Sequence, residues 1–259
     1  MNPDWLIPRW NAPAGVRAVC TTRVGGVSAA AAFSSMNLGE HVGDDAASVA
    51  ANRAALGRTL GVRPVFLQQV HGAQVAVLNA GATDGVSADG CVSAERGLAC
   101  TIMVADCLPV LMTTRSGQVV AAAHAGWRGL AAGVLEATLA QLWRQTRVKS
   151  GGAGPTLQDT LVWLGPCIGP RAFEVGPEVR EAFVARQPQA AEFFAPLAAG
   201  KWLANLPALA RLRLQSTGIE QIEGNDGSAP WCTVGQTERF FSHRRDRVSG
   251  RMAACIWLE

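Results

Sequence analysis

Residues 98–130 read LACTIMVADCLPVLMTTRSGQVVAAAHAGWRGL, and this stretch decides the fold. It contains three runs of apolar or β-branched residues separated by short polar breaks, a pattern typical of buried strands. We predict strands over Leu98–Val104, Val110–Thr113 and Val119–His124. A helix is predicted over Gly129–Thr146, where apolar residues recur every three or four positions. This mixture of short buried strands and a long amphipathic helix indicates an α/β or α+β fold.

The rest of the chain continues the same mixture of elements. Further strands are predicted over Val16–Thr21, Val65–Gln69, Val75–Leu78, Leu161–Leu164 and Met252–Trp257, and further helices over Ala46–Leu60, Pro177–Gln187 and Lys201–Ser216. Strands and helices do not alternate strictly, which favours a mixed β-sandwich flanked by helices over a regular doubly wound sheet. The loop at 149–155, KSGGAGP, has strand-like stretches on both sides. We therefore expect a single domain over residues 1–259.

Composition limits the classes of protein that the chain can belong to. Its 259 residues are 49% hydrophobic and 17% charged, with a formal net charge of +3. These values predict a sizeable core rather than disorder, and so small a charge gives no footprint for nucleic acid. The longest apolar runs are too short to span a bilayer or are interrupted by Asp106, and the N-terminus MNPDWLIPRW has no signal-peptide pattern. We therefore expect a cytoplasmic protein without membrane or nucleic-acid partners, whose seven cysteines mostly remain thiols. No heptad or repeated apolar face indicates an interface, so we expect a monomer.

Three segments put a metal-ligating side chain at or beside the end of a predicted strand. They are QQVHG with His71, ADCLP with Cys107, and AHAGWRG with His124. Two imidazoles and one thiolate form a three-ligand zinc set that leaves a fourth position open, as catalytic zinc sites do. Two other interpretations stay open on these residues alone. The side chains are satisfied core residues, or Cys107 is a nucleophile and His71 or His124 is its base.

Further candidates surround these segments. Asp106, beside Cys107, is a proton-transfer group, a partner of the metal site or a turn residue. The glycine-rich segment Thr22–Ser28 can present backbone N–H groups to an anion, although most such glycine pairs are only turns. The clearest basic cluster either holds a phosphate or forms an ion-paired surface, and it consists of Arg244, Arg245, Arg247 and Arg251.

Taken together, seven segments resemble the YfiH-type, or laccase-domain, family of purine nucleoside phosphorylases. They are TTRVGGVS, SSMNLGEHVGDD, QQVHG, VADCLPVL, AAAHAGWRGL, GPCIGPRAFEVG and FFSHRRDRVSGRMAACIWL, in this order from residue 21 to the C-terminus. The resemblance implies a YfiH-like α/β sandwich and a zinc site formed by His71, Cys107 and His124, with copper as the alternative ion. It also implies phosphorolysis of adenosine, inosine and S-methyl-5′-thioadenosine, and deamination of adenosine. Purine nucleosides and phosphate are therefore the expected partners.

This chemistry assigns roles to residues within those segments. The expected catalytic residues are Cys107, Asp106 and Arg128, and the expected substrate-binding residues are Arg23, Asn37, Glu174 and Arg245. Deamination needs a group that carries protons to the leaving ammonia, for which Asp106 and Glu174 are the candidates. Phosphorolysis needs an anion site, for which Arg23, Arg128 and Arg245 are the candidates because guanidinium forks match phosphate oxygens. Structural ion pairs are the alternative for all three arginines.

Other functions compete with this one. A cysteine hydrolase or amidase acting on peptidoglycan precursors would use Cys107 as nucleophile and His124 as base. A copper-dependent polyphenol oxidase with a multicopper centre needs more imidazoles than the four histidines of this chain. The usual zinc nucleobase deaminase signature is missing, and a metal-buffering module would bind zinc without turnover. The chain also departs from the family pattern at Ala29–Ala32 and at His243, where tyrosine is commoner, so His243 is not an expected ligand.

Overall fold

A computed structural model describes residues 2–152 and 154–259. Met1 and Ala153 lie outside the described residues, and the loop predicted at 149–155 falls partly on Ala153. The strands are β1 (Val16–Cys20), β2 (Arg63–Phe66), β3 (Val75–Leu78), β4 (Gly90–Ser93), β5 (Leu98–Val104), β6 (Leu108–Thr114), β7 (Val120–Ala125), β8 (Thr160–Leu164), β9 (Glu174–Val175), β10 (Phe194–Pro196), β11 (Trp202–Ala204), β12 (Gln221–Gly224) and β13 (Met252–Leu258). The α-helices are α1 (Ala46–Leu60), α2 (Trp127–Ala132), α3 (Val134–Lys149), α4 (Pro177–Val184), α5 (Leu206–Ser216) and α6 (His243–Asp246).

The strands form three sheets. A six-stranded sheet has the order β12-β8-β6-β7-β4-β3, a four-stranded sheet the order β1-β13-β5-β2, and a small third sheet the order β10-β11-β9. Most neighbouring strands are antiparallel, but β12–β8, β3–β4 and β2–β5 are parallel. The sheets are therefore mixed in direction, as the irregular order of predicted strands and helices indicates.

The two larger sheets pack face to face, and alternation along their strands separates two cores. Leu111 of β6 lies in one cluster with Ile102 of β5 and Ile256 of β13, between the sheets. Its neighbours Val110 and Met112 lie instead in the cluster that contains α3 and α5. Because successive side chains on a strand point to opposite faces, β6 has one face toward the other sheet and one toward the helices.

The outer face of the four-stranded sheet is covered by α1. Leu56 and Leu60 of this helix share a third cluster with Ala99 of β5 and Ala253 of β13. The layers thus run from α1 through the four-stranded and six-stranded sheets to α3 and α5. Strands β5, β6, β7 and β13 are buried along their whole length, which explains why they read as continuous apolar runs. The predicted sandwich flanked by helices is confirmed.

Individual elements differ from prediction where one residue redirects the backbone. The predicted helix Gly129–Thr146 is two helices, because Gly133 adopts a left-handed conformation with φ of 98° that ends α2. The predicted helix Lys201–Ser216 is wrong at its start, where Trp202–Ala204 is a strand and the Asn205 side chain caps α5 by accepting a hydrogen bond from the Ala208 N–H. No helix in the described part of the chain is both long and apolar enough to cross a membrane.

Candidate metal centre and its cavity

Strand register brings the three predicted ligands to one end of the six-stranded sheet. In the antiparallel pair β6–β7, Leu108 is opposite Ala125, so Cys107, just before β6, lies at the same end as His124, near the end of β7. His71 lies in the loop after β2. Its Nε2 lies 3.8 Å from the Cys107 Sγ, and the His71 and His124 rings meet edge to face with centroids 4.8 Å apart.

The donor set fits a metal ion. One ligand atom from each of His71, Cys107 and His124 can be chosen so that all three atoms lie within 4.8 Å of one another. Within residues 2–152 and 154–259, this trio is the group of three or more His, Cys, Asp or Glu side chains close enough to hold a metal ion. Zn–S and Zn–N bonds of about 2.3 and 2.0–2.1 Å in tetrahedral geometry put sulfur and nitrogen roughly 3.6 Å apart. The observed sulfur–nitrogen distance is close to that value, so the residues fit zinc without a large rearrangement.

Asp89, which the sequence analysis did not single out, organises the centre. Its side chain is fully buried and accepts hydrogen bonds from three consecutive backbone N–H groups, those of Val70, His71 and Gly72. It also contacts the His124 Nδ1 at 2.8 Å. With Nδ1 engaged in this way, Nε2 is the nitrogen that His124 has free for a metal. One carboxylate therefore fixes both histidines.

The sequence carried only a weak signal for Asp89. It precedes Gly90 at the start of β4, and an Asp-Gly pair at that position is typical of a turn. Its role depends on register, because β4 pairs Gly90 with Ala123 of β7. That pairing puts Asp89 beside His124, whose N–H donates to the Asp89 carbonyl at 2.7 Å.

Charge interactions within the centre favour the thiolate. Burial raises the pKa of Cys107, but the charges of and hydrogen bonds with His124 and His71 outweigh it and lower the pKa to about 6. Burial lowers the pKa of His124, but Cys107 and Asp89 outweigh it and raise the pKa to about 9. Burial likewise raises the pKa of Asp89, while the hydrogen bonds from His124 and Gly72 bring it below the ordinary value. A thiolate is the form of cysteine that binds metals.

Two residues of the site adopt backbone conformations that are unusual for non-glycine residues. His71 has a φ of 60° and Asp106 a φ of 88°. Asp106 is held there because its carboxylate accepts hydrogen bonds from the Thr233 Oγ1 and the Arg244 N–H, both at 2.6 Å, and its carbonyl accepts one from the Ile168 N–H. Such local strain persists where surrounding contacts over-determine it and is concentrated at functional sites.

The centre opens into a cavity of about 380 Å³, within the range of small-ligand sites. Its lining includes apolar side chains, those of Met103, Ala105, Trp127, Ile168, Phe173 and Leu206. It also includes polar or cationic side chains, those of His41, Gln69, His243, Arg244, Arg247 and Arg251, with Asp106 beside the centre. The two kinds of side chain meet where the Arg244 guanidinium lies 5.5 Å from the Phe173 ring centroid. The ligand trio thus lies where a flat apolar group and an anion can be bound together.

The predicted arginines lie outside this lining. Arg23 donates to the carbonyls of Ser34, Thr237 and Ala31. Arg245 donates to the carbonyls of Thr233, Val234 and Phe240 and pairs with Asp246. Arg128 is exposed and its guanidinium lies 4.4 Å from the Trp127 ring centroid. The guanidinium groups of Arg23 and Arg245 are therefore engaged in holding backbone.

Two further predicted residues also have other partners. Asn37 is fully buried; it donates to the Gly39 carbonyl and to Asp44, and accepts from the Arg251 N–H. Glu174 is exposed and forms an ion pair with Lys201. Neither side chain lines the cavity. The basic cluster noted in the sequence instead contributes Arg244, Arg247 and Arg251 to it.

Comparisons with known proteins agree along nearly the whole chain. A family model described as multi-copper polyphenol oxidoreductase laccase matches residues 17–259. A purine nucleoside phosphorylase of Pseudomonas aeruginosa is 51% identical over 256 residues, and the purine nucleoside phosphorylase YfiH of Escherichia coli is 47% identical over 255; each comparison covers 98% of both chains. The crystal structure of a Neisseria meningitidis protein matches with a TM-score of 0.87 at 43% identity over 99% of both chains. That of YlmD from Geobacillus stearothermophilus matches with a TM-score of 0.84 at 34% identity, over 95% of this chain and 93% of the other.

Proposed function

The chain belongs to the family described as multi-copper polyphenol oxidoreductase laccase, and on that premise we propose that it is a zinc-dependent purine nucleoside phosphorylase. Its proposed substrates are adenosine, inosine and S-methyl-5′-thioadenosine with phosphate, and it also deaminates adenosine. The relatives named purine nucleoside phosphorylase support an enzyme of this kind. We further propose that residues 1–259 form one domain that acts as a monomer in the cytoplasm, which size-exclusion chromatography and cell fractionation test.

One observation carries the proposal: the His71, Cys107 and His124 trio opens into a cavity whose lining contains both aromatic side chains and arginines. A purine is a flat, largely apolar ring system, and Trp127 and Phe173 offer aromatic surface for it. A phosphate is bound by positively charged hydrogen-bond donors, which the arginines of the lining provide. A site that accepts both beside one ion suits a reaction between a nucleoside and phosphate.

Zinc is the proposed ion because two imidazoles and one thiolate are borderline-soft ligands that suit it. A bound zinc ion would supply Lewis-acid activation and a low pKa for a water molecule that it holds. His71, Cys107 and His124 would hold the ion, and Asp89 orients both histidines. Copper is the alternative ion, and metal analysis of the purified protein distinguishes the two.

The chain's own residues have distinct proposed tasks. Trp127 and the neighbouring apolar side chains bind the base and exclude water from one part of the cavity. Asp106 is the proposed proton-transfer group, because its carboxylate lines the cavity beside Cys107 and is fixed by two donors. Arg128 is proposed to hold the Trp127 ring by cation–π contact. For Asn37 and Arg245 the proposed role in substrate binding is indirect, since they hold the segment that carries the cavity arginines.

Phosphate-dependent release of free base from each nucleoside, measured together with metal content, tests the proposal. Wild-type protein should hold one ion per chain and release base only when phosphate is present. Cys107→Ala should lose both the ion and the activity while keeping the circular dichroism spectrum of a folded protein. Cys232→Ala is the matched control, because Cys232 is also a partly exposed thiol but is not in the ligand group. A Cys107→Ala protein that releases base at the wild-type rate would overturn the assignment.

A second candidate function has its own supporting observation. Cys107, His124 and Asp89 follow the order nucleophile, base and orienting carboxylate, with the imidazole Nδ1 at 2.8 Å from Asp89. This arrangement suits a cysteine hydrolase acting on an amide, such as one in a peptidoglycan precursor. A chelator separates the two functions: the thiol hydrolase keeps its activity, whereas the zinc enzyme loses it and regains it with added zinc.

The family description also names a multicopper oxidase activity. A multicopper centre needs several clusters of imidazoles, and the metal-ligating group found in the described chain is the single trio. We therefore propose phenol oxidation only as a side activity of a copper-loaded site. Oxygen uptake with a phenol, compared between zinc-loaded and copper-loaded protein, tests it.

A further inference from the structure

We infer that Arg244, Arg247 and Arg251 form an oxyanion site in the cavity and bind the inorganic phosphate that attacks the nucleoside. The inference rests on the proposed phosphorolysis but assigns a site to residues other than Arg23, Arg128 and Arg245, the candidates that the sequence suggested. All three arginines line the cavity that contains the ligand trio. We call them the arginine wall.

The arginine wall has no acidic partner in an ion pair within the described residues. Across residues 2–152 and 154–259, ion pairs engage Arg17, Arg53, Arg213 and Arg245, but none engages a member of the wall. Of the four arginines in the basic cluster, the alternative interpretation as an ion-paired surface therefore holds only for Arg245. Three guanidinium groups facing one cavity without carboxylate partners repel one another, and an anion between them removes that repulsion.

Each guanidinium group of the arginine wall keeps N–H donors that are free to bind a ligand. Arg251 donates through Nη1 to the Ser249 and Gly250 carbonyls, and Arg244 through Nη1 to the Glu174 carbonyl at 2.9 Å. These contacts fix the two side chains by one nitrogen each. For Arg247, no side-chain hydrogen bond is found within the described residues. Fixed guanidinium groups with unused N–H donors are suited to bidentate binding of phosphate.

Arg247 has an unusual backbone conformation, with a φ of 61°. A residue with a Cβ rarely adopts this conformation, because its side chain is crowded by the neighbouring carbonyl. The turn directly follows α6 and is kept by a hydrogen bond from the Arg247 N–H to the His243 carbonyl. Backbone conformations of this kind are concentrated at ligand sites, and Arg247 also lines the cavity.

The surroundings of Arg251 connect the wall to the reactive centre. Burial lowers the pKa of Arg251, while the negative charges of Cys107 and Asp106 raise it and partly offset that effect. Arg251 therefore lies within the electrostatic reach of both groups. Asp106 is the carboxylate in the lining, and both of its oxygens already accept hydrogen bonds. It competes weakly with an incoming anion for the arginines.

The proposed step balances without a further reactant. A phosphate oxygen forms a bond to C1′ of the ribose, and the bond from C1′ to the purine nitrogen breaks. The electron pair of that bond stays on the purine, which takes the proton that the attacking hydrogen phosphate loses. A nucleoside with its base against Trp127 and the phosphate at the arginine wall would have its ribose between them. Holding the two reactants in this order is the contribution of the site.

The test measures phosphate binding and phosphate kinetics separately. Metal-loaded wild type, Arg247→Ala, Arg251→Lys and the charge-matched control Arg58→Ala, an exposed residue of α1, are dialysed against ³²P-labelled inorganic phosphate. We expect the phosphate Kd and the phosphate KM to rise about 10-fold or more in the two wall variants, the loss expected for a hydrogen bond between charged groups. The nucleoside KM should change little, and Arg58→Ala should behave as wild type. Arg247→Ala keeps the test valid if the half-buried Arg251 variant does not fold, because Arg247 is exposed.

The outcomes separate this inference from the proposed function. If wild type releases no base with phosphate, phosphorolysis is wrong, and dialysis alone decides the site: phosphate bound by wild type and lost in both variants supports the wall as an anion site. Wild type that binds no phosphate overturns it. If wild type is active but the folded wall variants keep the wild-type phosphate Kd and KM, the arginine wall is not the phosphate site.

Discussion

Replacing Asp89 by asparagine tests whether one buried carboxylate holds the metal centre together. The side chain keeps its shape, but an NH₂ group takes the place of one oxygen. Each Asp89 oxygen accepts two hydrogen bonds: Oδ1 from the His71 N–H and the His124 Nδ1, and Oδ2 from the Val70 and Gly72 N–H groups. Whichever oxygen is replaced, two of the four groups that donate hydrogen bonds to Asp89 then face the NH₂ group of the asparagine, which is itself a donor.

The size of the effect follows from that count. A hydrogen bond to a charged acceptor contributes about 1.5–3 kcal/mol, so the loss of two lowers the free energy of unfolding by about 3–6 kcal/mol. For a protein of this size, that corresponds to a melting temperature lower by roughly 10 °C. Metal affinity should fall about 10- to 100-fold, as is usual when the carboxylate partner of a metal-binding histidine is removed.

The tautomer of His124 also changes in a direction that weakens metal binding. If the asparagine NH₂ donates to the His124 Nδ1, the ring proton moves to Nε2. The nitrogen that would bind the metal is then protonated, and the lone pair is lost. Asp89→Asn therefore weakens the site even if the rest of the fold adapts to the new amide.

Competition with a chromogenic zinc chelator measures the affinity, and thermal unfolding followed by circular dichroism measures the stability. Asp84→Asn is the matched control: Asp84 is exposed and accepts one hydrogen bond from the Phe66 N–H at 3.0 Å. Asp89→Glu, which keeps the charge, should recover part of the metal affinity. If Asp89→Asn binds zinc and unfolds as Asp84→Asn does, the carboxylate is not the organising group and the reasoning is refuted.

Three other predictions probe the thiolate, the tight packing of the centre and the core. In metal-free protein, the rate at which iodoacetamide alkylates Cys107 should fall as the pH drops through about 6. Burial raises the pKa of this thiol, but His124 and, to a smaller extent, His71 lower it by more. A midpoint of the rate near the ordinary pKa of 9.0 contradicts this. Gly126→Ala should lower the metal content measured by plasma mass spectrometry, because the added Cβ would lie 2.9 Å from the Cys107 Sγ, whereas Gly15→Ala meets no atom within 4 Å and should leave it unchanged. Leu111→Ala, fully buried between the sheets, should cost about 2–5 kcal/mol in urea unfolding; a loss below about 1 kcal/mol argues against a tightly packed seam.

The sequence was informative about the core strands and the ligand trio for physical reasons. A strand buried on both faces needs an unbroken apolar run, and β5 reads as one. His71, Cys107 and His124 each interrupt or end such a run with a side chain that binds metals, so their residue type already marked them. Gly133 was harder to interpret, because glycine within a helical pattern is compatible with either a continuous helix or a break.

Residues whose role depends on distant partners could not be predicted in the same way. Asp89 resembles a turn residue until the β4–β7 register puts it beside His124. Arg23 and Arg245 resemble anion ligands until the fold places their guanidinium groups against backbone carbonyls, which for Arg23 include the distant Thr237 carbonyl and for Arg245 those of Thr233, Val234 and Phe240. For charged residues, the sequence gives the chemical group, whereas the fold decides whether that group faces a ligand or the backbone.

The position of the cavity relates the metal centre to the arginine wall. Cys107 directly precedes β6 of the six-stranded sheet and His124 lies in β7 of the same sheet, whereas Arg251 directly precedes β13 of the four-stranded sheet. The chain passes from one sheet to the other between β5 and β6, and Asp106 lies in that crossing. Its carboxylate accepts the Arg244 N–H, so the residue next to the thiolate is hydrogen-bonded to the segment that carries the wall. Because both sheets are tightly packed, the distance between the proposed ion and Arg251 is set largely by the inter-sheet core. Substitutions in that core should therefore alter catalysis through the spacing of the two sites, even where no ligand touches the substituted residue.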